Sequence, residues 1–164
     1  MPAKTYPRVN ISPHWATMNA NLIDIVDLIP EDKLDWSPAP REWSIRVIIV
    51  HIILARHHHA TGEGAPPDYM ASVIQDARTK DGLQKHLATS WEMLDRFLSD
   101  DGKLDAVYEP PANDPAYSLE PDPYDGHYIA YHRFAHDIHH RSTLLGHLRQ
   151  IGVTISGRLI RPLA

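Results

Sequence analysis

Apolar residues recur along this chain at intervals of three and four, the spacing of helices that each bury one face. In the first such stretch Ile11, Trp15, Met18, Leu22, Ile25, Val26 and Ile29 share a side. Ser12 stands there as an N-cap with Pro13 at the first helical position, and Pro30 ends the helix. The connection 31–41 is broken by Pro38 and Pro40. Ser44 then caps a second helix, with Trp43 before it placed as a hydrophobic staple. That helix runs to about His59 and is apolar on most sides (Ile45, Val47, Ile48, Ile49, Val50, Ile52, Ile53, Leu54), the composition of a buried helix. Gly62, Gly64, Pro66 and Pro67 end it, and a short helical piece is expected around 69–77. A third helix starts at Thr79 or Asp81 and runs to Leu98, with Leu83, Leu87, Trp91 and Leu94 on its apolar face. The fourth is long, from about His132 through Leu148.

Between the third and fourth helices, 100–125 reads as irregular. It holds Pro110, Pro111, Pro115, Pro121 and Pro123, and eight acidic residues against Lys103. A loop of this length is usually functional or mobile, so it is read either as a lid over a site or as a solvated crossover. The tail 153–164, with Ile155, Leu159, Ile160 and Leu163, reads as an extended segment packed on the bundle or on a partner. With no strand pattern of any length, the expected fold is all-α, a four-helix bundle forming one domain over 1–164.

Histidines change the picture. Of the twelve, His132, His136, His139, His140 and His147 fall within about a third of the fourth helix's circumference at roughly 100° per residue. Imidazoles four apart are neighbours and can share a metal, which leaves both His132–His136 and His136–His140 as possible chelating pairs. In a bundle, sites are built from facing helices, and His51 is the one ionisable residue inside the apolar run 47–55. Alone it would read as a hydrogen-bonded core residue; beside the stripe it becomes the candidate third ligand. His57, His58 and His59 sit at the end of their helix and read as a solvated last turn, where only His58 could face inward. Asp137 follows a candidate ligand and should point away from a metal.

Composition narrows the chemistry. The absence of cysteine excludes disulfides, thiolate zinc sites and a cysteine nucleophile, so any thiol must arrive as a small molecule. Sixteen basic against twenty-one acidic residues give a net charge of −5 with no basic block, which excludes nucleic-acid backbone binding. No apolar run is long enough to span a bilayer, and 1–8 carries no signal-peptide pattern, so a cytoplasmic protein is expected. The apolar-all-round second helix and the apolar tail lead us to expect a homodimer.

Several segments in order resemble the DinB/YfiT-like superfamily of metal-dependent enzymes. They are Leu22 to Pro30 with Glu31-Asp32-Lys33-Leu34-Asp35-Trp36; Trp43-Ser44-Ile45-Arg46 followed by His51; Ser90-Trp91-Glu92-Met93-Leu94; and His136-Asp137-Ile138-His139-His140-Arg141 with Leu148-Arg149-Gln150-Ile151-Gly152. The resemblance implies a four-helix bundle, often dimeric, holding a divalent metal on three histidines. It selects His51, His136 and His140, because the family's second ligand on the last helix directly precedes an arginine, here Arg141. His139 should then point elsewhere, and Arg141 should pair structurally with an acid. Ser142-Thr143 stand where the family commonly has Gly-Gln. Some members are thiol-dependent transferases or isomerases using low-molecular-weight thiols.

Three neutral imidazoles leave a tetrahedral ion one open position, the arrangement of catalytic sites. Zinc is the first expectation, with nickel or iron(II) as alternatives. The ion would lower the pKa of a bound water toward about 7 for hydrolysis, or deprotonate an incoming thiol. The function expected is thus transfer, isomerisation or hydrolysis on a small organic substrate. The alternative is a non-catalytic bundle in which a metal or histidine network only ties helices together.

Overall fold

The computed structural model describes residues 8, 10–61, 65–109 and 123–160, with backbone alone at 58–61 and 160. It is mostly helical, in the order α1 (Ser12–Leu28), a 3-10 turn (Glu31–Lys33), α2 (Ile45–Thr61), α3 (Pro67–Asp76), α4 (Lys80–Leu98), α5 (Asp101–Asp105), β1 (Val107–Tyr108), β2 (Tyr124–Asp125), α6 (Gly126–Gln150) and α7 (Gly157–Ile160). The four expected helices are α1, α2, α4 and α6. Both α1 and α2 pack against α4 and against α6, so α1 and α2 lie diagonally across the bundle, as do α4 and α6. The connection 29–44 makes a diagonal crossing.

Local signals explain most boundaries. Ser44 Oγ accepts from Val47 N–H at 3.3 Å and caps α2, and Thr79 Oγ1 accepts from Gly82 N–H at 3.1 Å and caps α4. At α1 the expectation of a Ser12 cap fails. Ile11 is the cap residue, and Ser12 lies inside the helix. Its backbone N–H is taken by Asn10 Oδ1 at 3.1 Å, and its hydroxyl donates to Asp95 on α4 at 3.0 Å. The end of α6 follows Schellman geometry: Gly152 takes φ +81°, Val153 N–H reaches Leu148 C=O at 2.9 Å, and Gly152 N–H reaches Arg149 C=O at 3.1 Å.

The expected short helical piece is α3. Part of the stretch read as irregular is ordered: α5 forms under an Asp100 cap, and β1 pairs with β2 antiparallel, Val107 opposite Asp125. The segment 110–122, which carries the lid-or-crossover alternatives, lies outside the described residues. In the tail, Leu159 on α7 is buried in the main core, with Val153 and Ile155 packed on it; 161–164, with Leu163, lie outside the described residues. The apolar surface of α2 is largely covered within the chain, since Ile45, Ile48, Ile49, Ile52 and Ile53 are buried while Val47 is exposed. No described helix is long and apolar enough to cross a membrane.

The core has two main parts. One joins Leu22, Ile25, Ile49, Ile52, Leu83, Leu87, Leu144 and Leu148 with their neighbours; the other joins Ile11, Trp15, Met18, Leu94 and Ala130. At their boundary lies a buried polar layer to which all four major helices contribute: Asn19, Arg56, Ser90 and Asp137.

Two glycines make a contrasting test of packing. A Cβ on Gly82 would lie 1.9 Å from the Asp76 carbonyl oxygen, whereas one on Gly146 would meet nothing within 4 Å. Gly82→Ala should therefore destabilise the protein by about 1–3 kcal/mol by forcing the α3–α4 corner open. Gly146→Ala should stabilise it by about 0.5–1 kcal/mol, since a mid-helix glycine costs backbone entropy. Thermal or urea unfolding of the two variants reads both signs.

Candidate metal centre

His51 lies on α2, and His136 and His140 lie one turn apart on α6, the helix packed against it. One ring nitrogen from each comes within 4.8 Å of the other two. His51 Nε2 and His136 Nε2 stand 2.9 Å apart. The ring centroids lie 4.9 Å apart for His51–His136, 4.8 Å for His51–His140 and 4.4 Å for His136–His140. A tetrahedral ion with nitrogens at about 2.0–2.1 Å needs them roughly 3.3 Å from one another. The close pair must part by a few tenths of an ångström and the wider separations must shrink, which side-chain rotation supplies. The donor set therefore fits a divalent cation. Among the described residues no carboxylate joins this group.

Electrostatics favour the ligating form. His51 is driven down to about 4, first by burial, then by His136 and by Arg133. His140 is also driven down to about 4, first by burial, then by His136, His51 and His139. Both imidazoles are thus neutral, with lone pairs available, across the physiological range.

The remaining stripe histidines separate. His132 is exposed, and its Nδ1 lies 3.4 Å from the Tyr128 hydroxyl. His139 is exposed beside His140, centroids 5.0 Å apart. His147 is buried with its ring at 80° to Trp36, 5.6 Å away. His57 corrects the expectation of a solvated last turn: it is buried beside the Tyr69 ring, centroids 4.6 Å apart. The side chains of His58 and His59 lie outside the described residues.

Several residues near the site have contacts that the sequence did not reveal. Trp43, expected as a staple, lies against the site. Its ring stacks on His140 at 14° and 5.9 Å and leans on His51 at 4.8 Å, while the side chain stays 47% exposed. Asp137 contributes no donor to the group, yet its Oδ1 comes within 3.4 Å of His136 Nδ1. Its Oδ2 accepts from Trp15 Nε1–H and from Arg56 Nε–H, both at 2.8 Å. Burial alone would raise this carboxyl; Arg56, aided by His136 and Trp15, holds it below the usual range. Arg56 Nη1 also donates to Asn19 Oδ1 at 2.7 Å. A signal existed for two of these, since Asn19 and Arg56 interrupt the buried apolar stripes of α1 and α2, whereas Asp137 lies on a buried stripe of α6 shared with Arg133 and Arg141. Arg141, expected to pair with an acid, instead donates to the Leu159 carbonyl and ties α6 to the tail.

The fold and donor set define a helical bundle with a candidate three-histidine metal centre. Residues 14–144 match the DinB superfamily, and the chain belongs to it. Its fold is similar to crystal structures of three DinB-like proteins. The one from Exiguobacterium sibiricum has 21% identity and a TM-score of 0.66, covering 91% of this chain and 94% of that one. The one from Bacillus subtilis has 17% identity and a TM-score of 0.63, covering 89% and 94%. A third, from Bacillus cereus, has 21% identity and a TM-score of 0.57, covering 87% and 91%. At these identities the likeness establishes the fold alone. No curated protein matches the chain.

The lowered histidines set a pH dependence for the metal-free protein. Unfolded imidazoles titrate near 6.5, and the folded His51 and His140 near 4. The unfolded chain therefore binds more protons between these values, and stability that is full above about 6.5 is lost as pH falls toward 4. Urea midpoints of chelator-treated protein should fall steadily from pH 7 to pH 4.5. An unchanged midpoint over that range would show that these rings are not held neutral.

Proposed function

We propose that His51, His136 and His140 hold a divalent cation, zinc first and nickel or iron(II) next, and that the centre is catalytic. The observation carrying this reading is the gathering of three imidazole nitrogens from facing helices within 4.8 Å, with no carboxylate joining them among the described residues. A purely structural site tends to close its sphere with a fourth protein ligand. With three, a position is left for an exogenous group.

In that role a bound cation would supply positive charge beside a developing anion. The chain's own residues do the rest. The three histidines bind through neutral nitrogens, and Trp43 forms an apolar wall over His51 and His140 that shields one flank from water. A chain without cysteine must receive any thiol from solution. We therefore read the reaction as metal-dependent transfer, isomerisation or hydrolysis on a small organic molecule, with a low-molecular-weight thiol as the candidate co-substrate.

Metal content tests the ligand set. His51→Ala, His136→Ala and His140→Ala should each lose stoichiometric metal in protein purified without an affinity tag, while His132→Ala keeps it. Loss of metal in His132→Ala with retention in His140→Ala would place the site one turn toward the start of α6.

A chelator should also lower the melting temperature at pH 8. A cation at a hundredfold excess over its dissociation constant stabilises the fold by about 2.7 kcal/mol. The chelator effect should shrink toward pH 5, because protonation of the ligands removes the metal from both samples. No chelator effect at pH 8, in protein shown to contain metal, would disconnect the metal from the bundle.

A further inference from the structure

We propose that Asp137 is the positioning residue of the three-histidine centre. Clamped by Trp15 and Arg56, it keeps the imidazole proton of His136 on Nδ1 and so presents the Nε2 lone pair to the space shared with His51 and His140. The proposal rests on the metal reading above, but part of its test does not.

Asp137 is 1% exposed, as is Arg56, and Trp15 is 0% exposed. The two donors arrive from different helices, the indole N–H from α1 and the guanidinium from α2, and both converge on Oδ2 at 2.8 Å. With one oxygen held from two directions the carboxylate plane cannot rotate. Its other oxygen is left facing His136 Nδ1 at 3.4 Å. An ionised carboxylate only accepts hydrogen bonds, so the nitrogen facing it carries the hydrogen. A ring protonated at Nδ1 has its lone pair on Nε2.

That assignment fixes the neighbouring contact. His136 Nε2 lies 2.9 Å from His51 Nε2, a hydrogen-bond separation at which one nitrogen donates and the other accepts. With His136 as acceptor, the donated proton belongs to His51 in the metal-free protein. The clamp thus orders the tautomers of two ligands from three helices. Hydrogen bonding of a ligand's second nitrogen to a carboxylate is a general device for orienting metal-bound imidazoles, and losing it weakens metal affinity about 10–100-fold.

The test uses the full chain. In metal-free, ¹⁵N-labelled protein at pH 7.5, long-range ¹⁵N–¹H correlations should show His136 in the Nδ1–H form and His51 in the Nε2–H form. Finding His136 protonated at Nε2 instead overturns the proposal whether or not the protein binds metal. Competition with a chromophoric chelator should then show that Asp137→Asn binds zinc about 10–100-fold more weakly than wild type. Trp15→Phe, which removes one clamp and leaves the Arg56 pair, should show a smaller loss and covers the case in which Asp137→Asn fails to fold. A merely structural role would lower the melting temperatures while leaving the His136 tautomer and the zinc affinity of the folded variants unchanged, and that result refutes the assignment. Wild type that takes up no zinc refutes the metal reading, and the tautomer measurement still decides the positioning.

Discussion

A buried ion pair organises this bundle. Arg56 and Asp137 are both removed from water and meet at 2.8 Å between α2 and α6. Desolvating two charges costs several kcal/mol per ion, which only good geometry and further hydrogen bonds offset. The surroundings supply them: Asn19 and the Leu87 carbonyl accept from Arg56 at 2.7 and 3.3 Å, and Trp15 donates to Asp137 at 2.8 Å. Removing either charge would strand the other, at a cost of about 3–5 kcal/mol. An apolar layer of equal volume would tolerate helices sliding past one another. This layer has its hydrogen bonds in one register, because its partners come from all four major helices.

That register is what brings the histidines together. His51 precedes Arg56 by little more than one turn of α2, and His136 directly precedes Asp137 on α6. Once the ion pair aligns the two helices, the imidazoles must face one another a turn away. The pair therefore holds the separation between His51 and His136, while the helical repeat alone sets that between His136 and His140. The same alignment sends Trp43, at the entrance to α2, across the rings of His140 and His51. Burial then keeps two of the three rings neutral. Packing, pairing and ligating chemistry are consequences of one alignment.

Much of this was legible in the chain. Apolar spacing located α1, α2 and α4, Ser44 and Thr79 marked two starts, and the i, i+4 relation put His136 and His140 on one face of α6. These are local properties, set by 3.6 residues per turn and by capping chemistry. Where a local rule met a tertiary competitor, it lost. Ser12 gave its hydroxyl to Asp95 rather than to a cap, and Trp43 gave its ring to the site. His57, at a helix end that looked solvated, was covered by Tyr69. The ladder between β1 and β2 joins segments far apart in sequence, which periodicity cannot register.

The sequence by itself determined the helices, their buried faces and the two-plus-one supply of imidazoles from α6 and α2. Which of the stripe histidines meet His51 was decided only by tertiary structure, since the angular spread of His132, His136, His139, His140 and His147 fits several registers equally well. Asn19 and Arg56 stood in the sequence as polar breaks in apolar stripes, and Asp137 stood four residues from Arg133 and Arg141 on a charged stripe, each unfavourable when buried alone. Their meaning lies in pairing across helices, and pairing is a property of distances that no single helix contains.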